Sequence, residues 1–357
     1  MKRIFAIAVT LALLVACAGC KKAPEATPAP TPEATATATP SPTPEAAPAA
    51  AELIRTPNQR EGYSLTSGKP YTGKHQPVAV MVENTKAAYP QSGLSKADIV
   101  YEMYEEGGIT RFMAIFGDQM PDKVGPIRSC RPYFVDALAE YDCILTHVGG
   151  PNSSSSAVNI YQKFRDAGIK QREDGYRDGK HIYRDSSRRA PHNCYVDLNK
   201  VQADYTYDPA ARPFAFDYDD VHSYSGATVT EIDMTYNSSN SVAYKWDAEQ
   251  QHYVRWFNGS PMIDMANNKQ ITVDNLIVQY APHSNLNDKY GHINIQLLGE
   301  GKFEAVIGGI KVEGTWKKDS TRSATEFLVN GEEHLLLDPG VTYIQVVPTN
   351  HQVTYVN

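Results

Sequence analysis

"ADIVYEMYEEGGITRFMAIFGD", residues 97–118, decides how the folded part of this chain is read. Two β-rich runs, "ADIVYEMYEE" and "TRFMAIFGD", flank the pair Gly107 and Gly108. β-Branched and aromatic side chains favour strands, and glycines supply the positive φ that a reversal needs. The stretch therefore reads as an antiparallel hairpin. Alternation along its first strand places Glu102 and Glu106 on one face and Glu105 on the other, with Arg111 across the hairpin. Such a face is either the solvated side of a hairpin or part of a site.

The neighbouring segments alternate between strand and helix patterns. "PVAVMVEN", residues 77–84, is a short apolar run typical of a core strand. "SCRPYFVDALAEY", residues 129–141, puts Phe134, Leu138 and Tyr141 on one helical face. "CILTHV" makes a strand, followed by the loop "GGPNSSSS" and a helix capped by Ser156 that ends at Gly168. From about Phe214 onward the runs are short, β-branched or aromatic, with Asn-Gly pairs in "RWFNGSPMID" and "FLVNGEEHLLL" that favour tight hairpins. The expectation is an α+β fold: a mixed α/β domain at 63–205 and a mostly antiparallel β domain at 206–357.

Residues 1–20 read as a targeting segment, with Lys2 and Arg3 before an apolar stretch too short to span a membrane comfortably. "LVAC", ending at Cys17, resembles a bacterial lipobox, and Cys20 in "CAGC" is the competing lipidation site. Residues 21–62 are a Pro/Ala/Thr-rich tract with almost nothing to bury, which suits a disordered stalk. The chain is expected at the outer face of the bacterial cytoplasmic membrane, with that membrane as a partner through its lipid anchor.

The formal charge of −7 over 357 residues argues against generic nucleic-acid binding. Cationic features must be local, and three segments carry them. "GPIRSCRPYF" places Arg128 and Arg131 three residues apart around a helix start, where guanidinium forks suit a carboxylate or phosphate. "THVGGPNSSSS" sets His147 at a strand end before a glycine loop. "YRDSSRRAPHNCY", residues 183–195, holds Arg184, Arg188, His192 and Asn193, with Pro191 restraining the loop. The remaining cysteines, Cys130, Cys143 and Cys194, are odd in number and form no disulfide framework. His147, His181, His192 and Cys194 have no recognisable metal spacing, and no cofactor is indicated.

Read together, "PVAVMVEN", "PQSGLSKADIVYE", "EGGITRFMAIF", "GPIRSCRPYFVDALAEYD", "HVGG" and "RAPHNCY" resemble the YerB-like lipoprotein family of Gram-positive bacteria, long catalogued as a domain of unknown function. The resemblance covers nearly everything after the stalk, and "TWKK" with "PGVTYIQVVP" resembles the family's C-terminal β domain. Where many members have Arg-Pro-Gln-Ser-Gly, this chain has Tyr89 before "PQSG". The resemblance implies an envelope location and no established activity. Its matching positions include Glu102, Glu106, Arg111, Arg128, Arg131, His147, Arg184, Arg188, His192 and Asn193, which suggests one assembled pocket.

Three functional readings follow. In the first, that pocket binds an anionic envelope ligand: Arg128, Arg131, Arg184 and Arg188 grip it, His147, His192 and Asn193 direct hydrogen bonds, and Glu102 and Glu106 orient the arginines. The second is an envelope hydrolase or transferase with His192 as acid/base, although no nucleophile elbow or HExxH motif is present. The third is a scaffold docking other envelope proteins through the β domain. Whether the chain is an enzyme is left open.

Overall fold

The computed structural model describes residues 60–205, 214–218 and 224–357. Cys17, Cys20 and residues 21–59 of the stalk lie outside the described residues. The fold is α+β. Three short helices are described: α1 (Pro132–Leu138), α2 (Ile160–Asp166) and α3 (Leu198–Asp204). The first half contributes β1 (Val78–Glu83), β2 (Ile99–Tyr104), β3 (Thr110–Phe116), β4 (Ile144–His147), β5 (Arg172–Asp174), β6 (Ile182–Arg184) and β7 (Cys194–Val196). The second contributes β8 (Glu231–Asn237), β9 (Asn240–Asp247), β10 (His252–Phe257), β11 (Asn275–Ala281), β12 (His283–Asn285) and β13 (Ile293–Ile295). It continues with β14 (Gly299–Ile307), β15 (Ile310–Lys318), β16 (Glu326–Val329), β17 (Glu333–His334), β18 (Thr342–Pro348) and β19 (Val353–Val356).

The hairpin β2–β3 lies in the middle of an eleven-stranded sheet of order β17-β16-β15-β14-β11-β18-β2-β3-β1-β4-β5. Both faces of these central strands are buried, which explains their nearly continuous apolar runs. Side chains alternate between two cores. Met81, Tyr101, Met113 and Ile115 face one core, where Phe134 and Leu138 of α1 and Ile160 and Phe164 of α2 cover them. Val80, Val100, Phe112 and Ala114 face the other, against Ile232, Tyr244 and Tyr253 on the strands β19-β8-β9-β10 of a second, six-stranded sheet. Phe134, Leu138 and Tyr141 are all buried, as helical spacing implied.

The two halves of the sequence share this sheet. β18 pairs in parallel with β11 on one side and with β2 on the other, so Thr342 lies opposite both Asn275 and Ile99. A buried ion pair crosses between the sheets at the same place. Arg255 Nη2 on β10 donates to Glu102 Oε2 on β2 at 2.6 Å, and neither side chain reaches solvent. Glu102 Oε1 accepts from Asn84 Nδ2 at 2.9 Å and Thr110 Oγ1 at 2.7 Å, so the carboxylate is fully satisfied.

The structure corrects the shared face expected for Glu102 and Glu106. β2 stops at Tyr104, and Glu106–Gly108 form a 3-10 turn with Gly107 at φ 71° and Gly108 at φ 72°. Strand alternation ends before it reaches Glu106. The N-cap of α2 is likewise Asn159, whose side chain accepts from Gln162 N, and not Ser156. Both Asn-Gly turns are present, with positive φ at Asn258, Gly259, Asn330 and Gly331.

The segment that follows the stalk is clasped to the sheet through two acids. Ser64 and Ser67 hydroxyls donate to Asp118 at 2.5 Å each, and Thr66 Oγ1 donates to Asp98 Oδ2 at 2.6 Å. Burial, reinforced by Asp118, pushes the Asp98 carboxyl up to about 7 from its ordinary 3.8, against the pull of its hydrogen-bond donors.

Arg255→Met leaves Glu102 charged and unpaired, and chemical denaturation should show a loss of roughly 3–5 kcal/mol, much of it recovered in Glu102→Gln/Arg255→Met. Asp98 holds its proton more tightly folded than unfolded. Its stabilising contribution is therefore full below its ordinary value and is lost as pH rises through about 7. The fall in melting temperature across that window should flatten in Asp98→Asn.

Candidate functional site

β1, β4 and β5 run parallel and end at Glu83, His147 and Asp174. Crevices outside the carboxyl ends of such strands are where open α/β sheets bind ligands. A cavity of about 440 Å³ opens there. Its walls are Arg128, Ser129 and Arg131, the loop after β4 from Val148 to Ser153, Tyr176 after β5, and Asp288, Tyr290 and His292 from the β12–β13 ribbon.

Backbone hydrogen bonds lace the arginine segment into place. Arg128 N donates to Met81 O at 2.8 Å, Val148 N to Arg128 O at 2.9 Å, and Cys130 N to Gly149 O at 3.1 Å. The segment thus bridges β1 and the loop after β4. Gly149 sits at φ 67°, and a Cβ there would lie 2.5 Å from the Tyr176 ring, so glycine lets that ring rest on the backbone.

Three guanidinium groups follow. Arg128 Nη2 donates to Glu83 Oε1 at 2.8 Å, while its Nε and Nη1 make no hydrogen bond among the described residues. His192 Nδ1 lies 2.9 and 3.0 Å from the two Glu83 oxygens. A carboxylate only accepts, so Nδ1 carries a proton toward it. Burial works to raise the Glu83 carboxyl, but Arg128, Thr85 and His192 outweigh it and hold it below its ordinary value. Arg131 is bidentate on Glu106, Nε to Oε1 and Nη2 to Oε2 at 2.7 Å each, and its Nη1 donates to Ser129 Oγ. Burial opposes the Glu106 charge, yet Arg131 wins and lowers its pKa. Arg111 donates to Glu105 and to Ser129 O at 2.6 Å. Burial depresses Arg111 and raises Glu105, although each opposes the shift in the other.

The remaining sequence candidates lie elsewhere in the network. Glu102 belongs to the buried pair with Arg255 and does not orient the cavity arginines. His147 is wholly buried, with Nδ1 donating to Gly149 O at 2.8 Å, and burial lowers its pKa against Asp174. Arg184 Nη1 donates to Asn193 Oδ1 at 2.7 Å. Arg188 clamps the carbonyls of Ala88 and Pro90 at 2.5 and 2.7 Å. These four side chains, from His147, Arg184, Arg188 and Asn193, do not line the cavity. The arginines also keep close counterions: Arg128 pairs with Glu83, Arg111 with Glu105 and Arg131 with Glu106. No group of three or more acids, histidines or cysteines able to hold a metal occurs among the described residues, where Cys130, Cys143 and Cys194 are buried and form no disulfide.

Sequence reasoning missed Glu83, Tyr176, Asp288, Tyr290 and His292. Glu83 left one signal, a charge closing an otherwise apolar strand run in "PVAVMVEN". The others sit on loops whose sequence carries no mark of the cavity they meet in. Tyr89, the departure noted above, bridges the halves: its hydroxyl donates to Pro261 O at 3.0 Å and accepts from Ile263 N at 2.8 Å.

Comparison with known proteins adds a family. Residues 65–211 match the N-terminal domain, and residues 232–344 the C-terminal domain, of the family described as protein of unknown function DUF3048. The chain is 33% identical over 282 residues to the protein named "Putative lipoprotein YerB" of Bacillus subtilis (strain 168), spanning 77% of this chain and 82% of that protein. The crystal structure of Bacillus subtilis YerB superposes with a TM-score of 0.69 at 30% identity, covering 82% of this chain and 99% of that one.

The two cavity arginines should behave differently on removal. Arg131→Ala strips a bidentate partner from Glu106 and a counter-charge from buried Glu105, and should cost roughly 3 kcal/mol in urea unfolding. Arg128→Ala should cost about 1 kcal/mol, since Glu83 keeps His192 and Thr85. The lowered carboxyl of Glu106 contributes above its ordinary value of 4.5 and loses that contribution as pH falls. The gap between wild type and Arg131→Ala should therefore narrow in acid.

Proposed function

The chain belongs to the YerB-like family, DUF3048, and on that footing we propose that it is a membrane-anchored lipoprotein whose cavity binds one carboxylate-bearing fragment of the cell envelope. A relative carrying a lipoprotein name supports the anchor, together with the lipobox-like "LVAC" at Cys17. No helix among the described residues is long and apolar enough to cross a membrane.

The observation that carries the binding reading is the half-used fork of Arg128. One nitrogen is pinned by Glu83, and the others have no partner among the described residues, on the wall of a cavity large enough for a small ligand. A guanidinium held at one corner is oriented before the ligand arrives, which reduces the ordering cost of binding. The counter-charges already around Arg131 and Arg111 mean that the site offers little net positive field. That favours a ligand with one carboxylate over a phosphate polymer.

A second reading rests on His192. Its Nδ1 is oriented by Glu83, the geometry of a carboxylate-held imidazole in acid/base catalysis. His192 touches Arg128 but does not line the cavity, so binding is the better supported reading.

Calorimetric titration tests both. A purified wall-peptide monomer with free carboxylates should bind, and its fully amidated form should bind at least tenfold more weakly, about 1.4 kcal/mol. Arg128→Ala should show a similar loss with its melting transition retained. Equal affinities for both forms, with Arg128→Ala unchanged, reject the binding reading. Turnover of wall polymer that vanishes in both His192→Ala and Glu83→Gln would favour the catalytic one instead.

A further inference from the structure

Among the described residues five large hydrophobic side chains are exposed, and the two most exposed are Tyr176 at 73% and Tyr290 at 66%. Both line the same cavity. They come from opposite halves of the sequence, Tyr176 after β5 and Tyr290 between β12 and β13, so chain proximity does not explain the coincidence. We propose that these rings are stacking platforms and that the ligand of the cavity presents a sugar ring beside its carboxylate; the inference rests on the binding reading above.

Each ring is braced. The Tyr176 ring lies against the backbone of Gly149, where a Cβ would approach its Cδ2 to 2.5 Å, and its backbone N–H donates to Asp174 Oδ1 at 3.0 Å. Tyr290 N and His292 N both donate to Asp288 Oδ1 at 3.0 Å, and the His292 ring packs on Tyr290 at 5.6 Å between centroids. Rings held this way lose little freedom when a ligand covers them, which is what makes aromatic anchors effective.

The chemistry of the walls selects the class of guest. A pyranose has a face of C–H groups and an edge of hydroxyls. The negative face of a tyrosine ring attracts the polarised C–H groups. The hydroxyls need acceptors and donors together, and Asp288, Asn152, Ser129 and Ser153 supply both around the cavity. A nucleotide would also stack, but its phosphates would meet the Asp288 carboxylate and arginines whose charge is already balanced. An acidic sugar places one carboxylate on Arg128 and its ring between hydrogen-bonding walls and aromatic faces.

The test uses the intact protein and three probes in calorimetric or NMR titration: N-acetylmuramic acid, which joins ring and carboxylate, N-acetylglucosamine, a ring alone, and D-lactate, a carboxylate alone. N-acetylmuramic acid should bind most tightly. Tyr176→Ala and Tyr290→Ala should each weaken it roughly fivefold to tenfold. Tyr176→Phe should retain binding, and Gly149→Ala, by displacing the ring, should reproduce the Tyr176→Ala loss. D-lactate binding as tightly as the acidic sugar, with both alanine variants unchanged, overturns the sugar inference and leaves the carboxylate reading standing. N-acetylglucosamine binding as tightly as the acidic sugar, with Arg128→Ala unchanged, does the reverse. Failure of all three probes to bind overturns both.

Discussion

Strand β2 is hydrogen-bonded along one edge to its hairpin partner β3 and along the other to β18, which arrives near the end of the chain. The rest of the structure depends on that seam. A β-strand must satisfy its backbone groups on both edges when it is buried, and β2 is buried on both faces as well. Only a strand from the second half fills the vacant edge. The Glu102–Arg255 pair adds a demand for register, because a one-residue slip of β2 would turn the carboxylate to the opposite core and strand a buried guanidinium. The α1 end is joined to the second half by a similar buried pair, Lys318 Nζ to Glu140 Oε2 at 2.8 Å.

That union shapes the cavity. With both halves in one sheet, the β12–β13 ribbon stands beside the carboxyl ends of β1, β4 and β5, and a crevice typical of parallel strands gains a wall from the β-rich half. The arginines of this network then perform two jobs. Arg131 and Arg111 are structural cations that neutralise Glu106 and Glu105 where the hairpin turns. Arg128 is anchored only at one corner and remains partly exposed, so of the two arginines that line the cavity it is the one with nitrogens that make no hydrogen bond among the described residues. Burial and partner count separate a ligand-facing arginine from a load-carrying one more clearly than sequence spacing does.

Sequence patterns reached a good part of this arrangement. The hairpin, the core strand at 77–84, the helix bearing Phe134 and Leu138 and the Asn-Gly turns were legible because each rests on a local rule of periodicity or turn geometry. Arg128 and Arg131 were legible as a pair because they stand three positions apart beside a helix start. Glu102 was misread for a physical reason: its charge placed it in the pocket as an orienter of the cavity arginines, while its partner Arg255 is distant in sequence and invisible to any window. Arg184 and Arg188 looked like ligand-grippers and instead bond Asn193 and the carbonyls of Ala88 and Pro90, acceptors that composition does not reveal.

By itself the sequence determined the α+β class, most of the local elements and the restriction of positive charge to a few segments. These follow from hydrophobic period, turn residues and net charge, all of which are short-range or additive properties. Only the tertiary structure decided which charges are spent on one another, which cavity-lining arginine keeps unbonded nitrogens, and that Tyr176 and Tyr290 meet at one cavity. Those facts depend on contacts between residues far apart in the chain, made when β18 enters the sheet beside β2.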